Sequence, residues 1–209
     1  MTKTLQDAFT VVSAEVERVK PTKVGKSQYK ELRNFLIEIT EPEPWLPKET
    51  VLSHKFLEKE WSFRLGEIDE SPEHPYTGKH RFEYADVGKR LQKVLRVLRW
   101  KRAPMSAILL VLNPDNKKIE GEKKREMGHL PCTAGYNLTV RDGKLLTTVM
   151  MRSNTFPEMF LSDVNLAIKL HLYSAEKLKL EPGPLTYFSM RTYRKLSKSE
   201  IKKLCRTES

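Results

Sequence analysis

The sharpest chemical feature of this sequence is the tripeptide Leu130-Pro131-Cys132. A proline entering a strand fixes the backbone just ahead of the thiol and can present the sulfur toward a cleft, where its thiolate form would be a nucleophile. Taken alone, a cysteine beside an apolar run is more often a buried structural residue. The second cysteine, Cys205, lies far away in the chain, and free thiols in a reducing compartment fit this usage better than a disulfide. His129, three residues before the thiol, is a candidate charge partner, although a plain loop histidine is the simpler reading. His54, His74, His80, His129 and His171 show no metal-ligand spacing, which argues against a metal enzyme.

Composition bounds what such a thiol could serve. The 209 residues are 39% hydrophobic and 31% charged, enough apolar material for one well-packed domain over 1–209 under a heavily solvated surface. No stretch approaches the roughly 20 apolar residues of a membrane span, and the N-terminus carries no signal-like apolar run, so a cytoplasmic protein is expected. A net charge of +11 should attract anions such as nucleotides. Basic residues thicken at Lys117–Arg125 and Arg191–Arg206, and both stretches read as solvated segments.

The elements that must position the thiol follow from periodicity. Phe9, Val12, Val16 and Val19 predict a helix over Leu5–Val19, stopped by Pro21. Phe35, Ile37 and Ile39 alternate within a strand over Glu31–Thr40, and Val51–Leu65 reads as a helix. Glu67–Lys79 has loop composition and is a candidate lid. Leu91, Val94, Leu95 and Leu98 mark one face of a helix over Gly88–Trp100. The continuous apolar run Ala107–Leu112 is the type found in the middle of a sheet. Asp142-Gly143 between Tyr136–Val140 and Leu145–Met151 signals a hairpin. Ser162 or Asp163 can cap a helix running to about Leu180, with Gly183 just beyond, and Leu185–Tyr193 reads as a last strand. This order predicts an α+β domain with a mixed or mostly antiparallel sheet packed with helices.

Four features recur in a telling order: Pro131-Cys132, the hairpin Arg141-Asp142-Gly143-Lys144-Leu145, the pair Arg152-Ser153, and Leu180-Glu181-Pro182-Gly183. In this the chain resembles the thymidylate synthase family, most closely from Pro131 to Tyr193, and its short length resembles the compact archaeal branch. Upstream, Glu58 and Trp61 are similar to that family's helix carrying a catalytic glutamate three residues before a tryptophan. Gly88-Lys89-Arg90-Leu91 resembles its Tyr-Gly-x-Arg-Leu element, with Val87 at the tyrosine position and Tyr84 as the nearest substitute.

The resemblance implies Cys132 as the nucleophile adding to carbon 6 of a pyrimidine, so that carbon 5 can take a one-carbon unit from methylene-tetrahydrofolate or methylene-tetrahydromethanopterin. It implies Arg152 and Ser153 as phosphate ligands, Glu58 as the proton-transfer group and Tyr193 as a ribose contact. Several positions depart from the family. Met105-Ser106 stand where two arginines usually serve the partner subunit's phosphate, with Lys101 and Arg102 as nearby substitutes. Thr133 and Thr155 replace a histidine and an aspartate, and Arg191 replaces the ribose-binding histidine.

Asp163 falls where the family holds an asparagine against uracil. An amide can both donate and accept, whereas a carboxylate accepts, as cytosine's exocyclic amine requires; deoxycytidylate hydroxymethylases resemble this choice. The expected activity is therefore methylation of dUMP to dTMP, with hydroxymethylation of a cytidine nucleotide such as dCMP as the rival. A non-catalytic relative using its positive charge on nucleic acid is a third, weaker option. Homodimer and monomer both stay open.

Overall fold

The computed structural model describes residues 1–24, 27–75, 78–79, 84, 87–100, 106–111 and 131–200. Lys101, Arg102, Met105, Lys117–Arg125, His80, His129 and Cys205 lie outside them.

The first helix, α1 (Leu5–Arg18), begins at a reciprocal cap. The Thr4 hydroxyl accepts from the Asp7 N–H at 3.2 Å, and the Asp7 carboxylate accepts from the Thr4 N–H at 2.9 Å. Leu5, Ala8, Val12 and Val16 recur at helical spacing and are buried. A hairpin follows, β1 (Thr22–Val24) and β2 (Ser27–Ile39). Helix α2 (His54–Leu65) is capped by Ser53, whose hydroxyl accepts from the Phe56 N–H, and ends at Gly66 in the left-handed conformation. The expected lid segment contains a two-residue ladder, β3 (Glu73–His74) with β4 (Gly78–Lys79). Helix α3 (Val87–Trp100) packs close to α2: a Cβ on Gly88 would lie 2.6 Å from the Leu65 carbonyl oxygen, so glycine permits that approach.

Strand β5 (Ser106–Leu110) leads, beyond undescribed residues, to the hairpin β6 (Thr133–Arg141) and β7 (Lys144–Met151). Asp142 and Gly143 both take positive φ, as a tight hairpin turn requires. The short β8 (Asn154–Thr155), helix α4 (Glu158–Leu178) and long β9 (Glu181–Lys195) complete the chain. The sheet order is β1-β2-β9-β7-β6-β5, with β8 also on β9. The β7–β9 and β8–β9 pairings are parallel and the rest antiparallel, the mixed sheet of the expected α+β class.

Inward residues of the strands, Ile37, Ile39, Leu109, Leu138, Leu145, Val149, Leu185 and Tyr187, form one core with α1, α3 and α4. Helix α4 is buried without interruption from Met159 to Ile168, because it lies between the sheet and the outer helices. The opposite face of the sheet leaves Leu36, Ile108, Leu110 and Met190 49–60% exposed.

Three expectations change. The last helix starts near Glu158, not Ser162, so Ser162 and Asp163 are buried within it and cap nothing. That helix closes at Lys179 in the left-handed conformation, whereas Gly183 lies inside β9 against the Leu145 carbonyl. The run Ala107–Leu112 does not supply a central strand: among the described strands β5 closes one end of the sheet order, and its outward residues Ile108 and Leu110 are 58% and 54% exposed.

Candidate active site

The β6–β7 hairpin explains how residues distant in sequence meet. Its tight turn fixes the register, and a bulge between Thr133 and Gly135 shifts the pairing by one residue. Thr133 then faces Met151, and the Arg152 N–H donates to the Cys132 carbonyl at 2.8 Å. The thiol therefore sits at the mouth of one strand while Arg152-Ser153 leaves its neighbour. A Cβ at Gly135 would stand 2.7 Å from the Leu109 carbonyl oxygen, so only glycine lets β5 close against the bulge. Pro131 is buried, Cys132 is half-buried and forms no disulfide among the described residues, Arg152 is exposed, and Ser153 is half-buried.

Behind Cys132 lies a buried polar network. The Tyr84 hydroxyl lies 3.5 Å from both the Thr133 hydroxyl and its N–H. The Arg64 guanidinium lies 4.0 Å over the Tyr84 ring. Arg64 also binds Glu60 at 2.9 Å, with the two side chains 3% and 0% exposed. Burial alone would pull Arg64 down, but Glu60, then Tyr136, Tyr84 and Asp163, hold its pKa above the usual value. Burial pushes the phenols of Tyr84, Tyr136 and Tyr187 up, and neighbouring Asp163 adds to that for all three. All three are neutral donors across the physiological range.

Asp163 projects from α4 to accept from the Asn154 side-chain amide at 2.7 Å, and both residues are buried. Asn154 pairs with Thr192 and Thr155 with Tyr193 across β8 and β9, which carries β9 alongside the Arg152-Ser153 segment. Arg191 binds the Glu31 carboxylate at 2.6 Å and stacks 4.5 Å from the Tyr193 ring. Burial pushes the Glu31 carboxyl up, yet Arg33 and Arg191 together hold it below the usual range.

The structure thus brings Cys132, Tyr84, Asp163, Arg152 and Ser153 into one region, with Arg191 and Tyr193 on the adjoining strand. Glu58 is placed differently. Its side chain is 65% exposed and pairs with Lys169 on the outer side of α2, two residues and about 200° around the helix from Glu60. Glu60 is the carboxylate that α2 buries toward Arg64 and Tyr84. The sequence held a signal for this: Phe56, Leu57, Phe63 and Arg64 flank Glu60 at i±3 and i±4, and all are buried. Asn154 carries no local signal, whereas Tyr136 and Tyr187 occupy inward positions of alternating strands.

Buried polar atoms here, among them Tyr187 Oη, Asn154 Oδ1, Ser189 Oγ and Thr192 Oγ1, have no hydrogen-bond partner among the described residues. Buried groups of this kind are normally satisfied, so they mark the interior as one that suits a hydrogen-bonding ligand. Among the described residues no cluster of histidine, cysteine and carboxylate side chains could hold a metal, and no helix is long and apolar enough to cross a membrane.

Comparison with known proteins places this geometry in context. No family model matches the sequence. A protein of Methanocaldococcus jannaschii named "Putative thymidylate synthase" is 30% identical over 166 residues, covering 77% of this chain and 73% of its own length. The crystal structure of thymidylate synthase from T4 phage superposes with a TM-score of 0.68 over 96% of this chain and 80% of that one, at 16% identity. At that identity the second likeness is one of fold.

Proposed function

Because the chain belongs to the thymidylate synthase family, we propose that it transfers a one-carbon unit from a reduced methylene-pterin to carbon 5 of a pyrimidine nucleotide, with Cys132 as nucleophile. The observation that carries this reading is the Arg152 N–H to Cys132 carbonyl bond at 2.8 Å. It joins the backbone of the half-buried thiol residue to that of an arginine followed by a serine, and these residue types can anchor a phosphate while sulfur attacks the ring.

In the proposed mechanism the Cys132 sulfur adds to carbon 6, and the electron pair displaced from the ring double bond makes carbon 5 nucleophilic. Arg152 and Ser153 hold the phosphate, and Tyr193 lies beside them to meet the ribose. Glu60 is the better-placed carboxylate for proton transfer than Glu58, because it is buried on the side of α2 that faces Arg64 and Tyr84. The neutral phenols Tyr84 and Tyr187 can donate to charge developing on the ring. The pterin supplies the one-carbon unit, and the half-buried indole of Trp61, next to Glu60, offers it an aromatic surface. The unpartnered hydroxyls and amide oxygen of the interior suit a heterocycle of this kind.

dUMP is the acceptor that the family resemblance implies. Asp163 favours a second reading, hydroxymethylation of dCMP, since a buried carboxylate accepts from an exocyclic amine and repels a carbonyl oxygen in the same place. Incubation with dUMP and with dCMP, each tritiated at carbon 5, plus methylene-tetrahydrofolate or methylene-tetrahydromethanopterin, should release label from one nucleotide and none after Cys132→Ser. Silence of both nucleotides with both donors would refute the assignment.

We further propose that a second copy of this chain covers the exposed outer face of the sheet around Leu36, Ile108, Leu110 and Met190, a contiguous apolar surface of the kind that isologous dimers bury.

A further inference from the structure

We infer that Asn154 is a positioning residue for base selection, fixing Asp163 as an acceptor-only carboxylate in one orientation, so that the site takes an aminopyrimidine in preference to an oxopyrimidine. The inference rests on the nucleotide reading above and deepens it.

The argument begins with what a buried carboxylate inside a helix demands. Asp163 sits within α4, past the first turn, where the macrodipole and the free N–H groups of the helix end no longer serve it. Its compensation comes from outside the helix. The Asn154 Nδ2 donates to Asp163 Oδ2 at 2.7 Å, and Arg64 supplies positive charge in the same region. Asn154 is 1% exposed and Asp163 4%, so solvent competes with neither.

The chemistry of the pair removes the usual ambiguity of an amide. An ionised carboxylate only accepts, so Asn154 must turn its NH2 toward it; the reverse orientation would set two acceptor oxygens against each other. The turn leaves Asn154 Oδ1 buried with no hydrogen-bond partner among the described residues, the cost of serving Asp163 first. A carboxylate offers about four acceptor positions, and the bond from Asn154 takes one of them and orients the group. What Asp163 then presents to a ring is an acceptor. Cytosine answers with its amine, whereas uracil answers with a carbonyl oxygen.

Backbone placement ties this selection to anchoring. Asn154 immediately follows Arg152 and Ser153 and is pinned by its pairing with Thr192. One short segment therefore sets both where the phosphate is held and how the base is read.

Equilibrium binding of dCMP and dUMP to the full chain tests the inference without needing turnover. The wild-type protein should bind dCMP the more tightly. Asn154→Ala should weaken dCMP about tenfold or more, the loss expected for a hydrogen bond to a charged group, while changing dUMP by less than about threefold. Asp163→Asn alone should shift preference toward dUMP, because two neighbouring amides can each turn either way. The exchanged double variant, Asn154→Asp with Asp163→Asn, keeps the hydrogen bond and should keep the dCMP preference, since the carboxylate now at 154 draws the NH2 of the new amide and leaves its oxygen toward the ring.

A purely structural role would weaken both nucleotides alike in Asn154→Ala, and that result overturns the inference. So does a double variant that behaves as Asp163→Asn alone, or a wild type that prefers dUMP. Should Asn154→Ala fail to fold, the double variant with its bond retained still decides the matter. If the wild-type chain binds neither nucleotide, it is the underlying functional reading that fails.

Discussion

The Arg152 N–H donates to the carbonyl of Cys132 at 2.8 Å, so the proposed nucleophile and the proposed phosphate ligand share a backbone hydrogen bond although their side chains do different work. Arg152 itself is exposed, and removing its side chain should leave the fold intact. Arg152→Ala is expected to weaken nucleotide binding by about tenfold or more, consistent with loss of a bidentate charged contact, with little change in Tm. Titration calorimetry paired with thermal melting checks both halves.

Glu60 and Glu58 offer a sharp contrast on one helix. Glu58→Gln removes an exposed ion pair with Lys169 and should leave tritium release within about twofold, since surface pairs contribute little. Glu60→Gln strips the carboxylate from a buried pair with Arg64 and should lower turnover by about a hundredfold or more while nucleotide binding persists. Because breaking a buried pair also costs on the order of 3 kcal/mol, kcat should be compared below the melting transition of the variant.

His171 is fully buried, its Nδ1 lying 2.9 Å from the Thr147 hydroxyl. Burial pulls its pKa down from 6.5 to about 4, with the nearby Gly183 backbone partly countering that. Between those two values the unfolded chain holds a proton that the folded chain does not. Stability is therefore fully present above about pH 6.5 and falls as pH drops toward 4, by on the order of 3 kcal/mol in total. In urea unfolding at a series of pH values, His171→Gln should flatten this part of the profile.

Leu110 and Ile108 lie on the bare outer face of the sheet, about half exposed. Leu110→Glu or Ile108→Lys should turn a dimer into a monomer on size exclusion with light scattering while leaving the circular dichroism spectrum unchanged. A wild-type chain that is monomeric at micromolar concentration would contradict the dimer proposal.

Much of this arrangement could be read from local pattern. The Asp142-Gly143 turn fixes the hairpin register, and that register together with the bulge between Thr133 and Gly135 brings Cys132 to Arg152. The helices α1 and α3 follow their apolar spacing, and the N-caps of α1 and α2 use the side chains that capping favours. What escaped was set by contacts between distant residues. Ser162 and Asp163 have cap-type side chains, but tertiary burial overrides that signal and places them inside α4. The apolar run at β5 could not reveal that one of its faces would stay uncovered. Glu58 drew attention through its spacing from Trp61, whereas the buried carboxylate, Glu60, is identified by its pairing with Arg64 and by the helix face it shares with Phe56 and Phe63. Asn154 shows no local signal at all, because its meaning lies in Asp163, which reaches it from the next helix.

The central claim is that the Cys132 sulfur forms a bond to carbon 6 of a bound pyrimidine. Intact-protein mass spectrometry after incubation with 5-fluoro-dUMP or 5-fluoro-dCMP and a methylene-pterin reads that bond directly. The account calls for a mass increase equal to nucleotide plus pterin, mapped by digestion to the peptide containing Cys132 and absent from Cys132→Ser. An unmodified wild-type protein with both nucleotides, or an adduct that survives Cys132→Ser, would contradict it.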